Sequence, residues 1–384
     1  MTQRSHIDDP RIGTSTSVTT ASGKAPPRVG VVVASRLRQF LLRCADRMLP
    51  THLSLLEHAH SFGKAHILST MAELGVADHL KNGPMSADEL AAEIGCHGDA
   101  LHRLLRAAAV FDAVRLNSDG RFQSTRFTGV LRADHPSSAA QWCRYIGSAS
   151  QQAAWVDLTE SVRTGESAFR RVHAKSMFGW FDTHPDEGKN FSAGLGGLTR
   201  AEAPAIVSGY PFPQTGVICD VGGGQGVLLA EILKARPQLR GVLVDSAQVL
   251  EHARDYLHDQ GVEQRVELVP GDLLGQVDAR ADLYLLKWIL HDWDDQTCEK
   301  IVRTVAAAMP EGARLVVIEG DQHRNSVDPR FSMIDLQMLA VTEGGRERSS
   351  EQLNLLLTVG GLVPGKTHRT STGLVLVEAT KPKR

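Results

Sequence analysis

The sequence predicts a doubly wound, parallel α/β domain preceded by a mostly helical domain built around a winged helix. Three observations carry this. Residues 217 to 229 read as an apolar strand, a glycine-rich turn and a helix. Beyond them, apolar runs of strand length alternate with blocks of helical periodicity, the pattern of a parallel sheet with crossover helices. Before them, residues 84 to 122 read as helix, turn, helix and short hairpin.

Residues 1 to 28 are rich in Ser, Thr, Gly and Pro without apolar periodicity, and read as a disordered leader. From Val31 to Leu49 apolar residues recur at helical spacing (Leu37, Phe40, Leu41, Cys44, Met48). A second block, Leu53 to Leu80, is almost continuously helical, and its polar face is thin. Such a helix is covered on more than one side, by the other domain or by a partner chain, and a homodimer is the expectation. In Pro84-Met-Ser-Ala-Asp-Glu-Leu, Ser86 and Glu89 have capping-box spacing, and Gly95 is a natural helix stop. A helix over Asp99 to Phe111 and a hairpin turning at Asp119-Gly120 complete the winged unit. Its candidate recognition helix carries His102, Arg103 and Arg106 but no basic stripe, so packing and dimerisation are favoured over DNA binding. Residues 137 to 205 read as further helices in which aromatic and Met side chains gather. Met177 and Phe191 are candidates for a flat, apolar pocket there, in competition with a plain helical core. The domains expected are therefore 29–205 and 206–384, joined near Pro211-Phe-Pro213.

In the second domain the strands expected are Val217–Asp220, Gly241–Asp245, Val266–Val269, Ala281–Leu286 and Arg314–Glu319, with a terminal hairpin over about 361–378. Helices fall near 227–235, 248–258, 295–309 and 349–359. In such a sheet the ligand lies over the carboxyl ends of the strands, so the chemistry is sought just after each one.

Strand one ends in Asp220-x-Gly222-x-Gly224-x-Gly226. A dinucleotide fingerprint would need its third glycine at position 227, where Val227 stands, which counts against a nicotinamide oxidoreductase. The spacing instead resembles the S-adenosylmethionine loop of Rossmann-like methyltransferases. Strand two ends in Asp245, placed to accept two ribose hydroxyls, although a helix N-cap would explain it too. Strand three leads into Asp272 and Leu273, an acid for an adenine amino group and an apolar face for the ring. The densest cluster follows strand four: Leu286-Lys-Trp-Ile-Leu-His-Asp-Trp-Asp-Asp295. His291 sits there among Lys287, Asp292 and Trp293, and histidine titrates where it can take a proton from a phenol-like hydroxyl. Glu319 ends strand five, and Glu347 lies in Gly344-Gly-Arg-Glu-Arg348; either carboxylate could orient that ring.

Composition narrows the function classes. Hydrophobic residues make up 42% and charged residues 22%, the mix of an ordinary globular protein. With 42 basic against 44 acidic side chains the net charge is −2, so no global basic field exists for nucleic acid or an anionic membrane. No apolar run approaches the roughly 20 residues that span a bilayer. The 5 cysteines form no CxxC pair, and the 16 histidines form no HExxH pattern, so neither a disulfide framework nor a metal site is expected. A cytoplasmic location is the expectation.

Together these residues resemble the plant-type, class II small-molecule O-methyltransferases, the caffeic acid and acetylserotonin type with bacterial relatives. The likeness covers about residues 60 to 380. It implies a winged-helix dimerisation domain, S-adenosylmethionine as cofactor and an aromatic hydroxyl as acceptor. It places the base on His291 and its flanking glutamates on Glu319 and Glu347. It places cofactor contacts on Gly222, Asp245, Asp272, Leu273 and Lys287, with Trp293 a neighbour. Two departures stand out: Asp245-Ser-Ala replaces the usual Asp-Leu-Pro, and Met338-Leu-Ala-Val-Thr342 lacks the Asn of plant members. The second puts Met338 and Thr342 in a different substrate pocket from that of phenylpropanoid enzymes. A member of the fold that has lost or altered its catalysis is the rival reading.

Overall fold

The structure, a computed structural model, describes residues 28–323 and 328–383. The expected leader lies outside the described residues up to position 27, and Arg28 already opens a helix, Arg28–Met48. The expected continuous helix over Leu53–Leu80 is instead divided into Thr51–His60, Phe62–Glu73 and Val76–His79. Gly75, at φ 64, makes the last break, a left-handed conformation that stops a helix cheaply only at glycine. Apolar side chains of the first two helices find no cover among the described residues: Phe40 is 61% and Leu55 66% exposed.

The winged unit forms as its punctuation dictates. The Ser86 hydroxyl accepts the Glu89 amide and the Glu89 carboxylate accepts that of Ser86, capping the helix Ala87–Ile94, which ends at left-handed Gly95. Helix Gly98–Ala109 buries Leu101, Leu105 and Ala108. Strands β1 (Arg115–Leu116) and β2 (Phe122–Gln123) pair antiparallel, and Phe122 is fully buried beneath them.

Seven helices follow, the last of which, Pro185–Gly209, organises the site. It runs unbroken through Pro204 and across the boundary expected at 205/206. The reason is packing at both ends. Gly194 and Gly197 bring its backbone against Trp142 and Ser138 so closely that a Cβ at Gly197 would lie 2.3 Å from the Ser138 carbonyl oxygen. Ala203 and Ile206 enter the core beneath the sheet.

The sheet comprises β3 (Gly216–Val221), β4 (Leu239–Asp245), β5 (Val266–Pro270), β6 (Leu283–Lys287), β7 (Arg314–Gly320), β8 (Val363–Arg369) and β9 (Leu374–Thr380). Their order is β5-β4-β3-β6-β7-β9-β8. The first five are parallel, but β9 runs antiparallel between β7 and β8, so the sheet is mixed rather than parallel throughout. A tight turn joins β8 to β9, which forces antiparallel pairing within that hairpin. The two core clusters occupy opposite faces of the sheet, as in a doubly wound fold. Because β3 has β4 on one side and β6 on the other, the chain switches direction there and opens a crevice above their carboxyl ends. One helix on that side, Pro329–Val341, had no counterpart in the sequence reading. No helix among the described residues is long and apolar enough to cross a membrane.

Candidate active site

The crevice holds a cavity of about 700 Å³ walled by the glycine turn, the ends of β4 and β6, and the Pro185–Gly209 helix. The turn needs its glycines. Gly222 lies at φ 70, and a Cβ there would sit 2.6 Å from Ile289 Cδ1, so any side chain would both strain the backbone and close the cleft. Asp245 ties the loop together: its Oδ2 accepts the Gly224 amide at 2.8 Å and its Oδ1 accepts the Ser246 amide at 2.8 Å. Burial pushes its carboxyl up, while those two amides pull it back. Asp220 lies beneath the loop, 2% exposed. Burial pushes it up to about 7, against the pull of Lys287. Asp272 and Leu273 line the far wall, where Asp272 Oδ1 accepts the Leu274 amide at 2.8 Å.

At the end of β6, Lys287 Nζ donates to Thr199 Oγ1 at 3.0 Å and pairs with Glu202 at 3.1 Å, both on the long helix. The chain then turns sharply. Trp288 has φ 54, unusual for a bulky residue, and such conformations persist where the surroundings hold them. A short turn, Leu290–Asp292, carries His291, which is 8% exposed.

Three groups fix that turn. Glu347 Oε1 lies 2.7 Å from His291 Nδ1. Glu319 Oε1 accepts the backbone amides of Leu290 at 2.7 Å and His291 at 3.1 Å, so this carboxylate holds the main chain rather than the ring. Arg348, completely buried, donates to the carbonyls of Leu290 and Trp293, each at 2.7 Å, and pairs with Asp295. Asp292 comes within 3.5 Å of His291 Nε2. Burial alone would lower the imidazole pKa. Asp292, Glu347 and Glu319 outweigh it and hold the ring at about 9. The neighbouring acids respond in kind: burial pushes Asp292 up to about 6 and Glu319 to about 7.

Of the four candidate pocket residues, Phe191 lines the cavity beside Phe178 and Phe181. The other three lie elsewhere. Met177 and Met338 are packed in an apolar core with Tyr145 and Phe169, and the Tyr145 hydroxyl meets the Met177 sulfur at 3.0 Å. Thr342 is buried with its hydroxyl given to the Met338 carbonyl. Met177, for which helical packing was the competing explanation, sits in that packing, and none of the three is on the wall of this cavity. Trp293 lines the cavity, its ring 6.0 Å from that of Phe178 and nearly parallel. Among the described residues no group of three or more His, Cys, Asp or Glu is gathered to hold a metal ion.

Sequence reasoning gave no role to Glu202, Thr199 or Arg348, whereas Phe178 and Phe181 stood among the aromatic residues expected either to pack a helical core or to line a pocket. Arg348 stood in the motif that named Glu347, and could have been noticed there. Glu202 is a lone acid on a long helix, without a local signal.

A glycine turn at the switch point of a doubly wound sheet, with an imidazole held by a carboxylate next to the cavity-lining Asp292, defines the class: a Rossmann-like transferase domain with a nucleoside-type cofactor. Comparison with known proteins narrows it. Residues 155–363 match the O-methyltransferase domain, and residues 56–133 the O-methyltransferase dimerisation domain. The phenazine O-methyltransferase of Lysobacter antibioticus is 33% identical over 332 residues, 86% of this chain and 96% of that protein. An 8-amino-8-demethylriboflavin N,N-dimethyltransferase of Streptomyces davaonensis is 31% identical, over 78% of this chain and 86% of that one. A methyltransferase of calicheamicin biosynthesis, solved with S-adenosylhomocysteine (SAH), superposes with a TM-score of 0.75 at 33% identity, covering 87% of this chain and 98% of its own. The chain belongs to the S-adenosylmethionine-dependent O-methyltransferase family.

Proposed function

We propose that the protein methylates a phenolic hydroxyl of a small aromatic metabolite, with His291 as general base. The carrying observation is the 2.7 Å contact between His291 Nδ1 and Glu347. It assigns the Nδ1 proton to that bond, so the neutral ring keeps its lone pair on Nε2. Nε2 stands beside Asp292, one of the residues that line the cavity. A substrate hydroxyl there gives its proton to Nε2 as its oxygen attacks, and Glu347 and Asp292 stabilise the resulting imidazolium. A phenol ionises near 10, within about one unit of the value at which this site holds its proton, so the transfer is close to balanced.

The residues fit the family's cofactor. The bare turn Gly222, Gly224 and Gly226 would admit it closely, with Asp220 shaping that turn from below. Asp245 would take the ribose, Asp272 and Leu273 the adenine, and Lys287 and Trp293 the remaining wall. Bound there, S-adenosylmethionine supplies an electrophilic sulfonium methyl, which leaves deprotonation and positioning to the protein. Phe178, Phe181 and Phe191 provide flat apolar surface for the acceptor.

The riboflavin-type relative motivates a second reading, an aromatic amine as acceptor. A panel of aromatic hydroxy and amino compounds with labelled methyl donor separates the two: label in an ether product supports the first, and label only on nitrogen overturns it. No turnover on either class, with SAH bound normally, would favour a non-catalytic member of the family. The reaction is expected to proceed without added metal, and loss of activity in EDTA would contradict that part of the reading.

A further inference from the structure

Glu202 lies outside every motif, yet one of its oxygens serves two consecutive residues of the site. Oε2 pairs with Lys287 Nζ at 3.1 Å and accepts from Trp288 Nε1 at 3.3 Å. Successive strand residues point to opposite faces of a sheet, so two neighbours do not ordinarily reach one carboxylate. They do so here because Trp288 leaves β6 at φ 54, which swings its indole to the Lys287 side. Thr199, three residues earlier and so on the same helical face, takes a second proton of Lys287 at 3.0 Å.

The two clients face different halves of the site. Lys287 lines the cavity, its ammonium almost wholly buried; burial lowers its pKa, and Glu202 and Asp220 oppose that. The Trp288 ring lies 4.8 Å from the His291 ring. Upstream on the Glu202 helix, Phe191, Ser192 and Leu195 form the opposite wall of the same cavity.

We propose that Glu202 is a positioning residue: it fastens the substrate-side helix to the β6 strand end, fixing Lys287 for cofactor binding and Trp288 against the base. The proposal rests on the reading above that Lys287 belongs to the cofactor site. Without Glu202, Lys287 would keep one hydrogen-bond partner, the neutral Thr199 hydroxyl, with Asp220 alone left to oppose the burial of its charge, and Trp288 would lose the bond that holds its indole inward.

The test is a double-mutant cycle on the full-length protein with Glu202→Gln and Lys287→Met, read by SAH affinity and by kcat with the acceptor identified in the panel. Glu202→Gln keeps an oxygen for Trp288 but removes the charge. It is expected to weaken SAH binding about tenfold with kcat little changed, and to add nothing once Lys287 is Met. Glu202→Ala also frees Trp288 and is expected to lower kcat as well. Thermal unfolding of each variant separates this from a purely structural role. A fall in Tm with unchanged SAH affinity and kcat overturns the proposal. So does equal loss of affinity from Glu202→Gln in both backgrounds. If Lys287→Met weakens SAH binding and Glu202→Gln does not, the proposal fails while the cofactor reading stands. Unchanged affinity in Lys287→Met removes Lys287 from the cofactor site and overturns both.

Discussion

At the scale of single residues the site is governed by burial working against charge. His291 is stripped of water, which disfavours its proton, but Asp292, Glu347 and Glu319 surround it and win. As the proposed base, a ring held at about 9 is mostly protonated at neutral pH, so kcat/KM should climb by roughly tenfold per pH unit below that value and level off above it. A flat profile from pH 6 to 9 would remove His291 from the rate-determining proton transfer. The same shift has a sign in stability. The folded ring keeps its proton more tightly than the ordinary value of 6.5, so its contribution is complete below about 6.5 and is lost as pH rises through about 9. The difference in Tm between wild type and His291→Gln should therefore shrink across that window. Arg348 makes a separate prediction. Its planar fork joins two carbonyls and Asp295, which an ammonium cannot reproduce. Arg348→Lys should cost about 3 kcal/mol of stability in denaturant unfolding and lower kcat more than SAH affinity. Unchanged kcat would show that the turn stands without it.

At the scale of elements, legibility followed how local the cause was. β3, the glycine turn and the capping box were readable because each depends on residues within a few positions of one another. Gly222 extends that logic: Gly222→Ala should cost about 1 kcal/mol or more in stability from its positive φ and, by closing on Ile289, at least about tenfold in SAH affinity. Wild-type affinity in that variant would mean the loop is not the cofactor cradle. The misses have non-local causes. Pro329–Val341 presents apolar residues around much of its circumference, so no amphipathic stripe announces it. β9 reads as the outer partner of a hairpin until β7 is there to take its free edge. Met177 and Met338 share a composition with pocket residues, and only the position of Tyr145 shows them to be packed core. The link from Glu202 to Lys287 spans 85 positions and has no signal in either segment.

At the scale of the whole molecule, two faces remain to be satisfied. The helices Arg28–Met48 and Thr51–His60 leave Leu37, Phe40 and Leu55 largely exposed, just ahead of the segment that matches a dimerisation domain, which the second helix enters. A second copy covering these side chains would account for the thin polar face in the sequence. Leu55→Glu should then weaken dimerisation at least about tenfold in sedimentation, leaving a folded monomer; an unchanged dimer would place the interface elsewhere. The other face is the cleft, where the helical domain closes over the sheet so that Phe178 meets Trp293 and Glu202 meets Lys287. All of it converges on one imidazole. The most direct measurement is kcat for His291→Ala beside its SAH affinity. A loss of roughly 10²–10⁴ in kcat with unchanged affinity is the predicted result, and a wild-type kcat would contradict the assignment of His291 as base.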